Sequence, residues 1–457
     1  MSASRRRSDP IAAHVAERVE TGRIDLVRFL YADHGGVIRG KSVAGARVAE
    51  RLRTGIGHTV AMMAMTMLDT LQPVEGLGPV GEVRILADPS TFTPLPYAPG
   101  SAAMLSDLVH PDGEPWAACP RTFLKQAIAD LAAAGYTLLA AFEPEFTLGR
   151  RTPTEHGPDR LAPIDDSLCY SATGFHTAHD FAIDLLHALE AQGMRVEHYH
   201  PELGHGQQEM SIRPASALRA ADNHVLYRET VRAVAMRRGL WASFAPKPIP
   251  DQPGNGCHLH LSLWSGDRNV FHDPAGAYGL SNEGRWFIGG LLAHLPALTA
   301  LTSGTVNGFR RLTPQTWASA YACYGMDNRE AAVRICSPMR DAAEESTNLE
   351  FKPSDSGANP YLSLGAVIHA GLDGIRSKTE PGAAVDADPA TLPEDERPSR
   401  LPSSLGKALD ALEADDLLMT ALGPLRSAAY LAVKRADVEA FAGRDADYEC
   451  FHHFTKF

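Results

Sequence analysis

Two short stretches hold much of the residue chemistry in this chain. GNGCHLHLSLW (254–264) sets His258 and His260 two residues apart, and FEPEFTL (142–148) sets Glu143 and Glu145 at the same spacing. On a strand, that spacing puts both side chains on one face and leaves Leu259, Leu261 and Leu263, or Phe142 and Phe146, on the other. Gly254 and Gly256 allow a sharp turn or a close approach of backbone to ligand. Carboxylates buried without partners are costly, and two on one face repel; a divalent cation between them removes both penalties. PELGHGQQEM (201–210) adds Glu202 and Glu209, and NLEFK (348–352) adds Glu350. Oxygen-dominated ligation with one or two imidazoles suits Mg2+ or Mn2+ better than zinc, and Mg2+ usually serves phosphate chemistry. NGFRRL (307–312) and MDNREAAVRI (326–335) supply Arg310, Arg311, Arg329 and Arg334. Their planar forks grip carboxylates and phosphates. Each feature also has a plainer reading: hydrogen-bonded histidines on a half-buried strand, a solvated glutamate face, ordinary surface arginines.

These residues need strands to aim them and helices to back the strands. DPIAAHVAERVE (9–20) has the pattern of an amphipathic helix. Residues 23–48 read as a β-hairpin turning at Asp33-His34-Gly35-Gly36, and 81–96 and 101–118 add strands. A mostly β N-terminal domain is expected to end near residue 112. Residues 119–148 and 175–204 each run helix, glycine stop (Gly135, Gly193), strand. Residues 216–240, 283–303, 359–376 and most of the C-terminal end are helical by pattern, and 378–400 is a polar surface loop. The fold class is α+β.

Composition narrows the function. Lys and Arg total 43 against 55 Asp and Glu, a net charge of −12, which argues against general nucleic-acid binding. No apolar stretch is long enough to span a membrane. The six cysteines (119, 169, 257, 323, 336, 450) form no C-x-x-C pair, so neither a zinc ribbon nor a disulfide framework is suggested. A reduced, cytoplasmic protein is expected.

FEPEF, PELGHGQQE, GNGCHLHLSL, NGFRRL, NREAAVRI and LEFKPSDSGANPYLSLGAVIHAGLDGI follow one another in that order. Together they closely resemble the glutamine synthetase family, from about residue 23 to the end. The resemblance implies an N-terminal extension (1–22), a β-grasp domain (23–112) and a catalytic domain (113–457) with a curved antiparallel sheet backed by helices. It implies a homo-oligomer, a dodecamer of two stacked hexamers, with active sites between subunits. It also implies two or more Mg2+ or Mn2+ ions per site and ATP as co-substrate. Glu145, Glu202 and Glu209 match one metal site; Glu143, His258 and Glu350 match the other. His260 matches a phosphate-stabilising histidine and Ser262 a nucleotide-contacting serine. Gly254, Arg311 and Lys352 match the L-glutamate pocket. Arg329 and Arg334 match arginines that neutralise the transferred phosphate, with Arg334 also at the nucleotide.

The departures from the family concern the acceptor. Six residues after Arg311, ammonia-using members carry a glutamate on a flap; here stands Trp317, whose indole cannot accept a proton. A D-G-S-S motif that serves ammonium is also missing. Near its place lies TVAMMAMTMLDT (59–70), with Met63, Met65 and Met67 expected on one strand face. The methionines also fit plain core packing, and Trp317 a structural flap anchor. An organic primary amine, alkyl or aryl rather than polyamine, is the expected acceptor, with Trp317, Met63 and Met65 in its pocket. Lys352 and Asn348 each replace a family arginine, which loosens the assignment of the acyl donor and the ATP contact. The alternatives are glutamine synthetase proper, a catalytically silent ring protein and, remotely, a guanidino kinase.

Overall fold

The computed structural model describes residues 10–153 and 159–457; the start of the expected extension lies outside the described residues. Helix α1 (Pro10–Thr21) turns Val15 and Val19 inward, as its amphipathic pattern requires. A hairpin of β1 (Leu26–Ala32) and β2 (Ile38–Ala44) follows, then α2 (Val48–Thr54), β3 (Ile56–Thr59), β4 (Glu82–Ala87), β5 (Thr93–Pro94) and β6 (Ser101–Val109). They build a six-stranded sheet in the order β2–β1–β6–β4–β3, with β5 on β6 and β1 parallel to β6. Val27, Phe29, Ile85 and Met104 pack in its core.

The hairpin turn docks onto a distant loop. Asp33 Oδ1 accepts from the Val37 N–H at 2.9 Å and closes the turn. Gly36 has φ +85, and a Cβ there would sit 2.3 Å from the Gly357 carbonyl, so only glycine fits. Asn359 Nδ2 donates to the Asp33 carbonyl at 2.8 Å, and Lys434 Nζ to that of Gly35 at 3.1 Å.

The methionine run departs from the strand expected. Thr59 Oγ1 accepts from the Ala61 N–H and starts a short 3-10 helix over Val60–Ala64. Met63 is fully buried, and its carbonyl receives a hydrogen bond from His34 Nδ1 at 2.9 Å. Met67 is also buried, while Met65 is half-buried in a bridge to Leu71. Spacing two meant a strand face only if the chain stayed extended; the threonine cap ends that.

The second half opens with α3 (Pro120–Ala133), β7 (Thr137–Thr152) and β8 (Arg160–Pro163). Next come α4 (Ala172–Ala191), β9 (Val196–Pro201), β10 (Gln207–Ile212), β11 (Ala215–Ser216) and α5 (Ala217–Arg237). β12 (Trp241–Ser243), β13 (Cys257–Ser265) and β14 (Arg268–Asn269) precede α6 (Asn282–Ala293) and α7 (Leu295–Thr302). Pro296 at the start of α7 divides the 283–303 helix in two. β15 (Tyr321–Met326), β16 (Ala331–Ile335), α8 (Ala343–Ser346), β17 (Leu349–Phe351) and α9 (Pro360–Ser377) follow. The chain ends in α10 (Leu405–Glu413), α11 (Asp416–Leu422), α12 (Pro424–Phe441) and α13 (Ala446–Phe454). The α+β reading holds. No helix among the described residues is long and apolar enough to cross a membrane.

The large sheet has the main order β15–β16–β17–β13–β7–β10–β9. Its spine is β7, sixteen residues long, whose Leu138, Ala140, Phe142, Phe146 and Leu148 are buried on one side. Phe142 stacks on His224 of α5 at 4.7 Å, and Phe146 meets Phe181 of α4 edge-on at 6.0 Å. Each of these buried leucines and phenylalanines contributes about 1.5–3 kcal/mol. The helices therefore take the apolar face and leave the other for glutamates and histidines.

One buried cation joins the halves. Arg121 of α3 is 2% exposed and forks onto Asp222 of α5 at 3.0 and 2.8 Å. It also reaches Asp107 of β6 at 3.2 Å and Asp88 at 2.9 Å. Replacing Arg121 with Ala leaves Asp222 buried without its charge partner. It is expected to destabilise the fold by about 3–5 kcal/mol, seen as a lower denaturant midpoint.

Candidate active site

Register gathers the site. On the polar face, His200 of β9 lies opposite Glu209 of β10, and Glu209 opposite Glu145 of β7. One step along, Glu143 of β7 faces His258 of β13. His260 then faces Glu350 of β17, and Glu350 faces Arg334 of β16. Five antiparallel pairings thus lay acids and bases in a band across the sheet. The band floors a cavity of ≈ 260 Å³.

All six residues expected to hold metal border this cavity: Glu143, Glu145, Glu202, Glu209, His258 and Glu350. Gly254, Arg311, Trp317, Arg329, Arg334 and Lys352 border it too. His260 stands just behind, its Nε2 3.2 Å from Glu143 Oε2. Ser262 lies farther along β13, where its Oγ accepts from Trp264 Nε1 at 2.9 Å. Met63 and Met65 do not border the cavity of their own chain. Met63, fully buried, is not available to touch an amine, which corrects that expectation.

The electrostatics divide the band. Burial alone would raise Glu143 and Glu350. Instead His260 and His258 hold Glu143 well below the usual carboxylate range, and Lys352 with the same histidines does so for Glu350. Glu350 meets Arg334 Nε in a short ion pair, Lys352 Nζ at 3.3 Å and His258 Nδ1 at 3.1 Å. In the other half the nearby positive charge, Arg311 beside Glu145, is too weak to offset burial. Burial and the repulsion of Glu202 raise Glu145, and burial with Glu143, Glu145 and Glu202 raises Glu209 well above normal. Glu145 is otherwise held by Gln207 Nε2 at 2.6 Å and the Gly256 N–H at 2.9 Å.

The donor set fits hard divalent cations. His258 Nε2 is buried without a hydrogen-bond partner. A Cβ on Gly256 would come 2.9 Å from that nitrogen and 3.1 Å from Glu145 Oε1, so the glycine keeps open the space both atoms border. Crowded carboxylates, a partnerless imidazole nitrogen and a preserved gap are what a cation would satisfy. His260 also approaches Glu143 and Glu350 closely enough to be a ligand. Its ring is otherwise committed: Nδ1 meets Asn348 Oδ1 at 2.9 Å, with Nε2 on Glu143. Glu143 in particular holds it protonated well above the usual histidine range, against the opposing effect of burial. Both ring nitrogens face an oxygen acceptor, so the ring is held in place.

Arg311 is 4% exposed. Its Nη2 donates to the Ser354 carbonyl at 2.8 Å while its Nε has no partner, as suits a residue waiting for an anionic ligand. Arg329 makes no ion pair among the described residues, whereas Arg310 lies off the site, forked onto Glu449 at 2.6 and 2.8 Å.

Trp317 is 51% exposed and sits on a strained segment, with φ +59 at Gln315, +55 at Trp317 and +64 at Ser319. Glu330 holds that segment. Its carboxylate accepts from the Trp317 N–H at 2.6 Å and the Gln315 N–H at 3.0 Å. Sequence reasoning passed over Glu330, since nothing in NREAAVRI marks it. It also passed over Tyr170, Leu203 and Gln207 on the cavity wall, and the pair His198 and His200. That pair did carry a signal: EHYHPE repeats the spacing of His258 and His260.

A two-sheet α+β chain with an acid- and imidazole-lined cavity beside arginines has the composition of a metal- and nucleotide-using ligase. The family model described as "Glutamine synthetase, catalytic domain" matches residues 117–452, and "Glutamine synthetase N-terminal domain" matches 10–116. The chain is 37% identical over 423 residues to "Gamma-glutamylpolyamine synthetase GlnA3" of Streptomyces coelicolor, covering 91% of this chain and 90% of that one. It is 34% identical over 463 residues to the glutamine synthetase of Halobacterium salinarum, covering 97% and 96%. A solved structure titled "GmaS/ADP complex-Conformation 1" superposes with TM-score 0.84 at 30% identity, covering 97% and 98%. Another, of a "novel glutamine synthase homolog", gives 0.84 at 35%, covering 95% and 99%. The chain belongs to the glutamine synthetase family, and it is an ATP-dependent carbon–nitrogen ligase.

Glu330 makes a direct claim about the flap. Glu330→Ala removes two charge-assisted hydrogen bonds from a strained segment. Limited proteolysis within 313–319 is expected to speed up by roughly 10-fold or more, with the global unfolding midpoint little changed.

Proposed function

We propose that this ligase joins the γ-carboxylate of L-glutamate to a primary organic amine through γ-glutamyl phosphate, giving a γ-glutamyl amide, ADP and phosphate. The observation that carries the proposal is the cavity wall: Trp317, Tyr170 and Leu203 all border it. They are 51%, 57% and 46% exposed, an apolar and aromatic lip around a charged floor. Such a lip suits the carbon part of an amine. Glu330, the carboxylate that holds the Trp317 segment, is taken up by two backbone N–H groups and is not offered to ammonium.

In this reading Glu145, Glu202 and Glu209 hold one cation, and Glu143, His258 and Glu350 another. Bound there, Mg2+ or Mn2+ supplies charge neutralisation for the phosphoryl group. Arg311, with its partnerless Nε, and the Gly254 loop hold glutamate; Lys352 adds positive charge beside Glu350. A γ-carboxylate oxygen bonds to the γ-phosphorus of ATP as the bond to the ADP oxygen breaks. Arg329, Arg334 and His260 stabilise charge on the moving phosphoryl group by position rather than covalent bonding. Ser262 and Arg334 face the nucleotide. The neutral amine then attacks the acyl carbon, the phosphate oxygen leaves, and the amine proton passes to solvent.

We place the boundary between the two domains near 112, after the last strand of the small sheet and before α3. The six free cysteines suit a cytoplasmic setting. Exposed Val80 and Leu168, at 87% and 80%, suit burial between subunits of a ring such as the proposed dodecamer.

The test is an acceptor panel of ammonium, alkyl and aryl monoamines and polyamines, with products read by mass spectrometry. An organic amine is expected to exceed ammonium in kcat/KM. Trp317→Glu is expected to shift that ratio towards ammonium by about 10–200-fold. Ammonium outcompeting every organic amine with the unaltered chain would return the protein to glutamine synthesis proper. That reading has support from the Halobacterium relative, and a polyamine acceptor from the Streptomyces one.

A further inference from the structure

His198 and His200 take no part in the ligase reading. They lie two apart on β9, at the edge of the large sheet, with rings stacked 5.6 Å apart at an interplanar angle of 14°. Both border the cavity. His198 Nε2 lies 3.6 Å and His200 Nε2 3.8 Å from the same atom, Glu209 Oε1. Ligand atoms of the three residues all lie within 4.8 Å of one another. The Ser211 hydroxyl lies 2.8 Å from His198 Nε2 and 3.0 Å from Glu209 Oε1, and Glu202 Oε1 lies 2.8 Å from His200 Nε2.

We propose that His198, His200 and Glu209 form a further metal site, for an imidazole-preferring divalent cation such as Zn2+ or Co2+ rather than Mg2+. Three facts argue for it. Two nitrogens and one oxygen are the donor set of open zinc sites, and Mg2+ selects against such nitrogen content. The nitrogens converge on one carboxylate oxygen, and a cation there would replace the hydrogen bonds that the same Nε2 atoms now make to Ser211 and Glu202. His198 is also 56% exposed, so solvent provides the entry path and the remaining coordination positions. The site rests on the reading above through Glu209, whose second oxygen remains for the neighbouring cation, and through Glu202 beside His200.

The test uses the full chain stripped of metal by a chelator and then saturated with Mg2+. Co2+ titration is expected to give a visible d–d band and one tight equivalent that Mg2+ does not displace. His198→Ala is expected to weaken that equivalent at least about 10-fold and to diminish the band, and His200→Ala to do the same. Glu350→Ala, which removes a hard-cation ligand paired with Arg334, Lys352 and His258, is expected to leave the band in place. Co2+ isotherms and spectra unchanged by both histidine substitutions would overturn the proposal. The readout involves no turnover, so a failed acceptor panel leaves this result standing, and a failed Co2+ titration leaves the ligase reading standing.

Discussion

Like charges crowded on one face of a sheet are the constraint around which this molecule is organised. Glu143, Glu145, Glu209 and Glu350 come from three strands, and register brings them onto one floor. Alone in a low-dielectric setting they would repel strongly and hold protons at neutral pH. The fold tolerates them because the opposite face of the same strands is among its best-packed regions, with Phe142, Phe146, Leu259 and Leu261 all buried. Packing on one side thus offsets electrostatic strain on the other.

The strain is unevenly relieved. Around Glu143 and Glu350 the chain supplies its own cations, Lys352 and Arg334, with His258 and His260 alongside. Around Glu145 and Glu209 burial and neighbouring carboxylates outweigh what Arg311 offers, and both carboxyls are pushed up. The deficit faces the cavity where glutamate and the acceptor meet in the proposed reaction. Arg311 and Arg329 line the same space, so positive charge awaits a substrate while negative charge awaits cations. A site preorganised in this way suits the proposed phosphoryl transfer, which would need little rearrangement of charge.

Much of this was legible from residue spacing, for a definite reason. His258/His260 and Glu143/Glu145 sit on strands, where a spacing of two has only one geometric meaning. The helix–glycine–strand units around Gly135 and Gly193 were legible because helix propensity and a stop signal coincide. The methionine run misled because its alternation mimicked a strand, while Thr59 capped a 3-10 turn. Other partners were beyond local reading. Asn348 clamps His260 across 88 positions and Asp222 meets Arg121 across 101, and no periodicity reports such contacts. Glu330 escaped notice because its function is to hold backbone N–H groups, which leave no side-chain pattern in the sequence.

The central claim is that the acid band exists to hold hard divalent cations beside a nucleotide. Anomalous X-ray diffraction from crystals of the full chain grown with Mn2+ and ADP tests it most directly. The account predicts manganese density within both carboxylate groups, one at Glu145, Glu202 and Glu209 and the other at Glu143, His258 and Glu350. A fully occupied nucleotide with no manganese against those six side chains would contradict it.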